Sequence, residues 1–478
     1  MSGFYHGVKT GKLATSVSTP IVADSGIHFV VGTAPIQTVG GKVNEAILCN
    51  NYAEAVQAIG YSDDWEKYTL CEEIYTAFVL YGISPIVLVN VLDLEKHRKK
   101  FSNDFELSEE RVATLPREAI ADTVKIGEFV ENEDYGLIYT ESALLVEVME
   151  GGKITEEVKT LSIEYSAVAP ELVEKADIIG GYDVENNKYK GLELIDSVFP
   201  KYGVVPEIIL CPKFSTDSEV AAVMSAKTEN INGVFSGICI IDADTKNTVR
   251  YTDVPEWKKK NNITKPGQII VYPKAKLGER IFHYSTHEAC RMTATDAAAD
   301  LGDGTPCESP SNKSLQIDSM VLADGTEVLF DQAQANYLNQ NGIATALNFI
   351  GGYVSWGNTT ACYPSNTDVT DYFINISRMF KWVANSVVLS TWNKVDRRLN
   401  RRLVESIMQS LNQWLNGLTS EEKILGGRVE FLEEENQDVD LMAGKATFHI
   451  FLTPPSPAQE FEFLLEYDAS YLSGLMSA

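Results

Sequence analysis

The sequence predicts an α/β multidomain fold: an α/β core interrupted by a β-rich insertion, a C-terminal α+β domain, and an extended arm at each end. Three observations carry this. Short apolar, β-branched runs alternate with stretches of helical periodicity, the order that builds a sheet covered by helices. Residues 104–175 hold 18 acidic and 6 basic side chains, and so carry −12 of the chain's net −27. Both ends read as extended segments set apart by prolines.

In order, residues 1–20 form the N-terminal arm, poor in large apolar side chains and ending at Pro20. Residues 21–95 are the first part of the core. There 27–32 (IHFVVG) and 86–91 (IVLVNV) are buried strands, with helices over 52–59 and 65–81 between them. Residues 96–175 are the acidic insertion, where alternation at Leu144, Val146 and Val148 and the Gly151–Gly152 turn indicate hairpins. Residues 176–355 resume the core, with a βαβ unit made by strand 207–211, helix 217–230 and strand 237–241. Residues 356–457 are the C-terminal domain. It carries one helix from 371 with Phe373, Ile376, Phe380, Val383 and Val387 on a face, a second over 394–415, and a strand at 445–452 (KATFHIFL). Residues 458–478 are the C-terminal arm, with a strand at 460–467.

Composition narrows the function classes. With 478 residues, 44% apolar and 22% charged, the chain has the balance of a folded globular protein. Its charge repels a phosphate backbone and an anionic membrane surface, so neither nucleic acid nor membrane insertion is expected. The longest uncharged run, 77–92, is divided by Pro85, and the N-terminus lacks the apolar stretch of a secretory signal. The 7 cysteines are scattered without a CxxC pair, which points to a reducing compartment.

Catalytic motifs do not emerge. Gly40–Gly41–Lys42 and Gly151–Gly152–Lys153 lack the Ser or Thr of a phosphate loop and read as turns. His283 and His287 have metal-binding spacing for a helix, but FHYST reads as a strand, on which they diverge. Asp242 and Asp244 follow a core strand, where α/β enzymes place ligands; they read as a turn, or alternatively as the site of a hydrolase or nucleotide-binding enzyme. Asp296, Asp300 and Asp303 lack calcium-loop spacing. The expectation is no catalytic residue, no metal and no cofactor.

Two elements are informative instead. Residues 394–402 (KVDRRLNRR) carry +4 in an acidic protein. On a helix, Lys394, Arg397, Arg398, Arg401 and Arg402 share one arc, either a solvated face or a docking face for an acidic protein. In the arm, Phe461, Phe463, Leu465 and Tyr467 alternate with mostly acidic residues after a PPSP hinge. That strand either pairs with KATFHIFL in its own domain or is donated to a neighbouring subunit.

These features, with several short motifs, resemble the contractile tail sheath proteins of myophages, R-type bacteriocins and related injection systems. The similarity runs over most of the chain and is strongest from Pro206 onward. It lies in EIILCPKFSTDSEV followed by ICIIDADT, in ESPSNKSL (308–315), in FDQAQANYLNQNGIATAL (330–347), in WGNTT (356–360) and in PPSPAQEFEFLLEYD. Thr359 stands where the family usually has Arg, and the acidic insertion is not shared by every member. The resemblance implies a structural subunit that polymerises as stacked hexameric rings around an inner tube and contracts to drive that tube through a target envelope. It implies strand exchange between copies, through Phe4, Tyr5 and Val8 of the N-terminal arm and Phe461, Phe463, Leu465 and Tyr467 of the C-terminal arm. Phe448, Ile450 and Leu452 would mark the receiving strand, and the basic helix would face the tube. The implied partners are further copies of the chain, the inner tube protein, and baseplate and tail terminator proteins. The implied setting is a phage tail or bacteriocin particle assembled in the bacterial host cytoplasm.

Overall fold

The computed structural model describes residues 20–476. Its centre is an eight-stranded sheet in the order Tyr353–Trp356, Ile343–Asn348, Gln268–Val271, Ile238–Asp242, Ile208–Leu210, His28–Gly32, Ile86–Asn90, Ala46–Cys49. The six inner strands run parallel, and the two outer strands are antiparallel to their neighbours. His28–Gly32, Ile86–Asn90 and Ile238–Asp242 are buried at every position. Parallel strands covered on both faces require this, which is why they read as continuous apolar runs.

Helices Ser218–Glu229 and Tyr284–Ala297 pack on the central strands. Thr69–Ile74, extended by a π-helical turn at Tyr75–Tyr81, packs beside Tyr284–Ala297. The expected helix over 65–81 therefore starts later, because Trp65 occupies a turn and packs on Tyr75 and Phe282. The FHYST stretch divides: strand Arg280–Phe282 ends there and helix Tyr284–Ala297 begins, so the expectation of a strand across it is corrected. Ala46–Cys49 was not foreseen; at four residues it is too short for a periodic signal.

Between Ile86–Asn90 and the return to the core lies a β unit with its own hydrophobic cluster. Arg98–Glu106 pairs along its length with Thr160–Val168, and Ala143–Val148 lies between Val112–Pro116 and Tyr135–Tyr139. Ala113, Leu115, Leu144, Val146, Leu161 and Ile163 are packed inside it. At its stem, the Ala169 N–H donates to the His97 carbonyl at 2.9 Å.

The C-terminal part begins with helix Ile374–Thr391, docked on the core by a buried charge cluster. Arg378 donates from Nε to Glu207 Oε1 at 2.8 Å and from Nη2 to Asp296 Oδ2 at 2.6 Å. The Gly26 N–H and the Ser25 hydroxyl donate to the same two carboxylates, so the segment after Pro20 is held too. A second helix, Arg401–Ser420, packs Leu411, Leu415 and Leu418 against Trp382 and an antiparallel hairpin, Gly426–Glu430 with His449–Thr453.

Two expectations fail here. The helix expected over 394–415 is broken: residues 395–400 form a loop, Asp396 takes a positive φ of 62°, and Asn400 caps the helix that starts at Arg401. The Asn400 side chain accepts from the Leu403 N–H at 2.9 Å, supplying the bond a first-turn donor otherwise lacks. Lys394, Arg397, Arg398, Arg401 and Arg402 thus sit across a helix end, a loop and a helix start rather than on one helical arc. The strand expected at 460–467 is not formed either. A strand needs an edge to pair with, and among the described residues this segment pairs with none.

Candidate assembly surface

The C-terminal tail leaves the body at a fixed point. Pro454 is buried, and Asn375 Nδ2 donates both to the Pro455 carbonyl at 3.2 Å and to the Cys307 carbonyl at 2.9 Å. From Ser456 the chain runs out across a polar cleft of about 930 Å³. Three of the sequence motifs meet in the walls of that cleft. The SPSNK segment is bonded to the edge strand, with Asn312 N–H to the Ser355 carbonyl at 2.6 Å and Ser355 N–H to the Lys313 carbonyl at 2.9 Å. Trp356 Nε1 donates to Asn336 Oδ1 at 3.2 Å, linking WGN to the 332–339 helix. Thr359 is buried beneath, where its hydroxyl reaches the Asn339 carbonyl.

Beyond the cleft the tail is extended and exposes its apolar side chains. Phe461, Phe463, Leu465 and Tyr467 are 74%, 83%, 98% and 77% exposed. Burying side chains of this kind is worth roughly 1.5–3 kcal/mol each, so the segment is a strong candidate for a protein contact. Ile450 and Leu452 lie in the outer strand of the hairpin, and Phe448 stands just before it, all half-buried against the helix Arg401–Ser420. Phe4, Tyr5 and Val8 lie outside the described residues.

The basic cluster is exposed at Arg397, Arg398, Arg401 and Arg402, with Lys394 half-buried. Arg401 pairs with Glu405 at 2.7 Å; Arg397, Arg398 and Arg402 have no ion-pair partner among the described residues. Cations in a first helical turn oppose the helix dipole. Of the five, only Arg401 and Arg402 lie in that first turn.

The enzyme-like residues are all engaged elsewhere. Asp242 is buried and accepts from the Ser285 N–H at 2.9 Å and the Ser285 hydroxyl at 2.6 Å, joining a strand end to the start of Tyr284–Ala297. Asp244 accepts from the Lys246 and Asn247 N–H groups, an Asx turn. His283 Nδ1 faces Glu72 at 2.8 Å, whereas His287 Nδ1 faces the Tyr81 hydroxyl at 3.2 Å, so the two do not converge. Burial holds His287 neutral, its pKa lowered to about 3, and pushes Glu288 up to about 7. His28, Glu73 and Cys290 lie together in the core, but both His28 nitrogens are taken, by Glu73 at 2.6 Å and Thr293 at 2.9 Å.

Comparison with known proteins places the chain beside tail sheath proteins. No family model matches the chain. It is 24% identical to the tail sheath protein of Burkholderia phage BcepMu over an alignment of 489 positions covering 98% of both. It is also 24% identical to a putative prophage major tail sheath protein of Pseudomonas aeruginosa, over 65% of this chain and 77% of that one. In structure it matches the contracted PVC sheath of an extracellular contractile injection system with a TM-score of 0.57, at 12% identity over 98% of this chain and 99% of that one. The contracted helical sheath of the anti-feeding prophage gives 0.57 over 97% and 99%, also at 12% identity. The fold is that of contractile tail sheath proteins. This chain is a homologue of those proteins along nearly its whole length.

Proposed function

We propose that the chain is the structural subunit of a contractile tail sheath, which polymerises as stacked hexameric rings around an inner tube. One observation carries the reading: an apolar, alternating segment leaves an anchored proline hinge that follows a two-stranded hairpin, and among the described residues it pairs with no strand. Adding 460–467 of one copy to the hairpin of another satisfies both, backbone bonds giving affinity and Phe461, Phe463, Leu465 and Tyr467 setting register. Residues 1–20, with Phe4, Tyr5 and Val8, supply the second exchanged strand. The loop and helix start bearing Lys394, Arg397, Arg398, Arg401 and Arg402 face the tube, and baseplate and tail terminator proteins meet the ends. The acidic insertion lies on the outer radius, as its own domain. Contraction drives the tube through a target envelope using the free-energy difference between two packings of the same subunits, and consumes no nucleotide. The particle is a phage tail or a bacteriocin, assembled in the host cytoplasm.

The test is negative-stain microscopy of the purified full-length protein and of a chain lacking 460–478. The full chain forms tubes, and the truncated chain stays folded by circular dichroism but does not. Tubes of normal length from the truncated chain would end this reading.

A further inference from the structure

The hairpin has two edges, and the structure treats them differently. In the ladder, Val429 stands opposite Ile450, and Arg428 opposite Phe451. Val429 turns both of its backbone polar groups toward the helix Arg401–Ser420. There the Asn412 side chain accepts from the Val429 N–H at 2.9 Å and donates to the Val429 carbonyl at 3.0 Å. Those are the two bonds that a residue of a third antiparallel strand would exchange with Val429. Asn412 therefore occupies the place of a strand.

It is also held there. Leu411 and Leu415, on the same helix, are buried against the hairpin, and a Cβ added to Gly427 would come within 3.3 Å of Leu415. The helix lies against the Gly426–Glu430 strand at Gly427 and at Val429. On the other strand the alternation works in reverse. Because Val429 points its groups away from its partner, Ile450 and, two residues on, Leu452 point theirs to the far edge. No hydrogen bond outside the hairpin is made by the backbone of Ile450 or Leu452 among the described residues.

We propose that Asn412 closes the Gly426–Glu430 edge, so that a strand from a second copy adds only beside His449–Thr453. This rests on the strand-exchange reading above and specifies its geometry: incoming strands stack outward from one side. The occupant is 460–467 of another copy. The chain's own segment leaves through Pro454, Pro455 and Pro457, with Pro455 pinned by Asn375, an exit unsuited to a tight turn back onto its own strand. In an isolated hairpin both edges would accept strands, and a growing lattice would branch or slip. A side-chain amide on a packed helix prevents that.

The experiment is residue-resolved hydrogen exchange on the full-length protein before and after assembly, together with the Asn412→Ala variant. In the unassembled wild type, Val429 should be protected while Ile450 and Leu452 exchange rapidly; assembly should protect Ile450 and Leu452 and leave Val429 unchanged. Asn412→Ala should speed Val429 exchange about tenfold before assembly and give short, irregular tubes. If that variant does not fold, the wild-type pattern and a tube reconstruction still decide. A neighbour's strand paired with Gly426–Glu430, with Asn412 displaced, would overturn the proposal and leave strand exchange standing. No added strand at either edge would remove the reading beneath it.

Discussion

Arg378 illustrates how much a single side chain can hold. It is 1% exposed and bridges the C-terminal helix to Glu207 beside the sheet and to Asp296 at the end of Tyr284–Ala297. Removing it leaves two buried carboxylates without their cation, which typically costs about 3–5 kcal/mol. Arg378→Ala should lower the denaturant midpoint accordingly, whereas the mixed effect of an exposed variant such as Arg397→Ala should be near zero. Glu288 makes a different case: it is fully buried, with no ion-pair partner among the described residues and only the Ser355 and Tyr284 hydroxyls turned toward it. Its pKa is raised by burial to about 7, so the folded state keeps a proton that the unfolded state loses near its ordinary value. The sign follows from linkage: stability is full below pH ~4.5 and declines as pH rises toward 7. His287, lowered to about 3, acts oppositely and weakens the fold as pH falls below ~6.5. Glu288→Gln should gain about 3 kcal/mol over wild type at pH 8 and little at pH 4, measured by urea unfolding at both values.

Among the elements, the broken helix changes how the basic cluster works. A continuous helix would have presented five cations as a rigid stripe. Instead Arg397 and Arg398 sit on a loop, and Arg401 and Arg402 open a capped helix. In the tube-facing role proposed above, the contacts would have to form on assembly and release on expansion, which suits exposed charge pairs worth about 0.2–1 kcal/mol each. Their grip comes from repetition along a tube, and high salt should loosen it because screening shortens to a few ångströms. Reversing Arg398 and Arg402 to Glu should abolish co-assembly with the cognate tube protein at low salt while tube-free polymers still form. Extended sheath from the double variant with wild-type salt dependence would assign the cluster another role.

At the scale of the whole molecule, the acidic β unit touches the core at Ile120 and Val168 and through Arg117, which donates to the Tyr61 carbonyl at 2.8 Å. It has its own hydrophobic cluster, and its stem is closed by the bond between Ala169 and His97. Two chain ends that close can be joined by a short connection without distorting either strand beneath. Its charge would be costly to bury and is easily carried in solvent, where repulsion among copies favours an outer radius. Replacing 98–168 by a short Gly/Ser linker should therefore leave a folded subunit that assembles and contracts. A folded deletion variant that forms no sheath would make the unit part of the lattice.

What was legible in the sequence follows from local physics. Strands buried on both faces are apolar except at an end residue that finds its own bonds, as His28, Asn90 and Asp242 do, so 28–32, 86–90 and 238–242 announced themselves, as did the helix 218–229 between its strands. The tail segment also declared its alternation, and the structure leaves those side chains exposed, awaiting a surface that local pattern cannot supply. Tertiary structure decided the rest. Asp242 looks catalytic until Ser285 is seen to consume it, and the arginines look like a stripe until Asn400 starts the helix after them. The convergence of SNK, QAN and WGN in one cleft joins segments some twenty residues apart, through bonds that no periodicity encodes. Asn412 gave no signal at all, because a polar residue on a helix reads as solvent-facing. Only the packing of Leu411 and Leu415 brings its amide to the backbone of Val429 and leaves the hairpin one open edge.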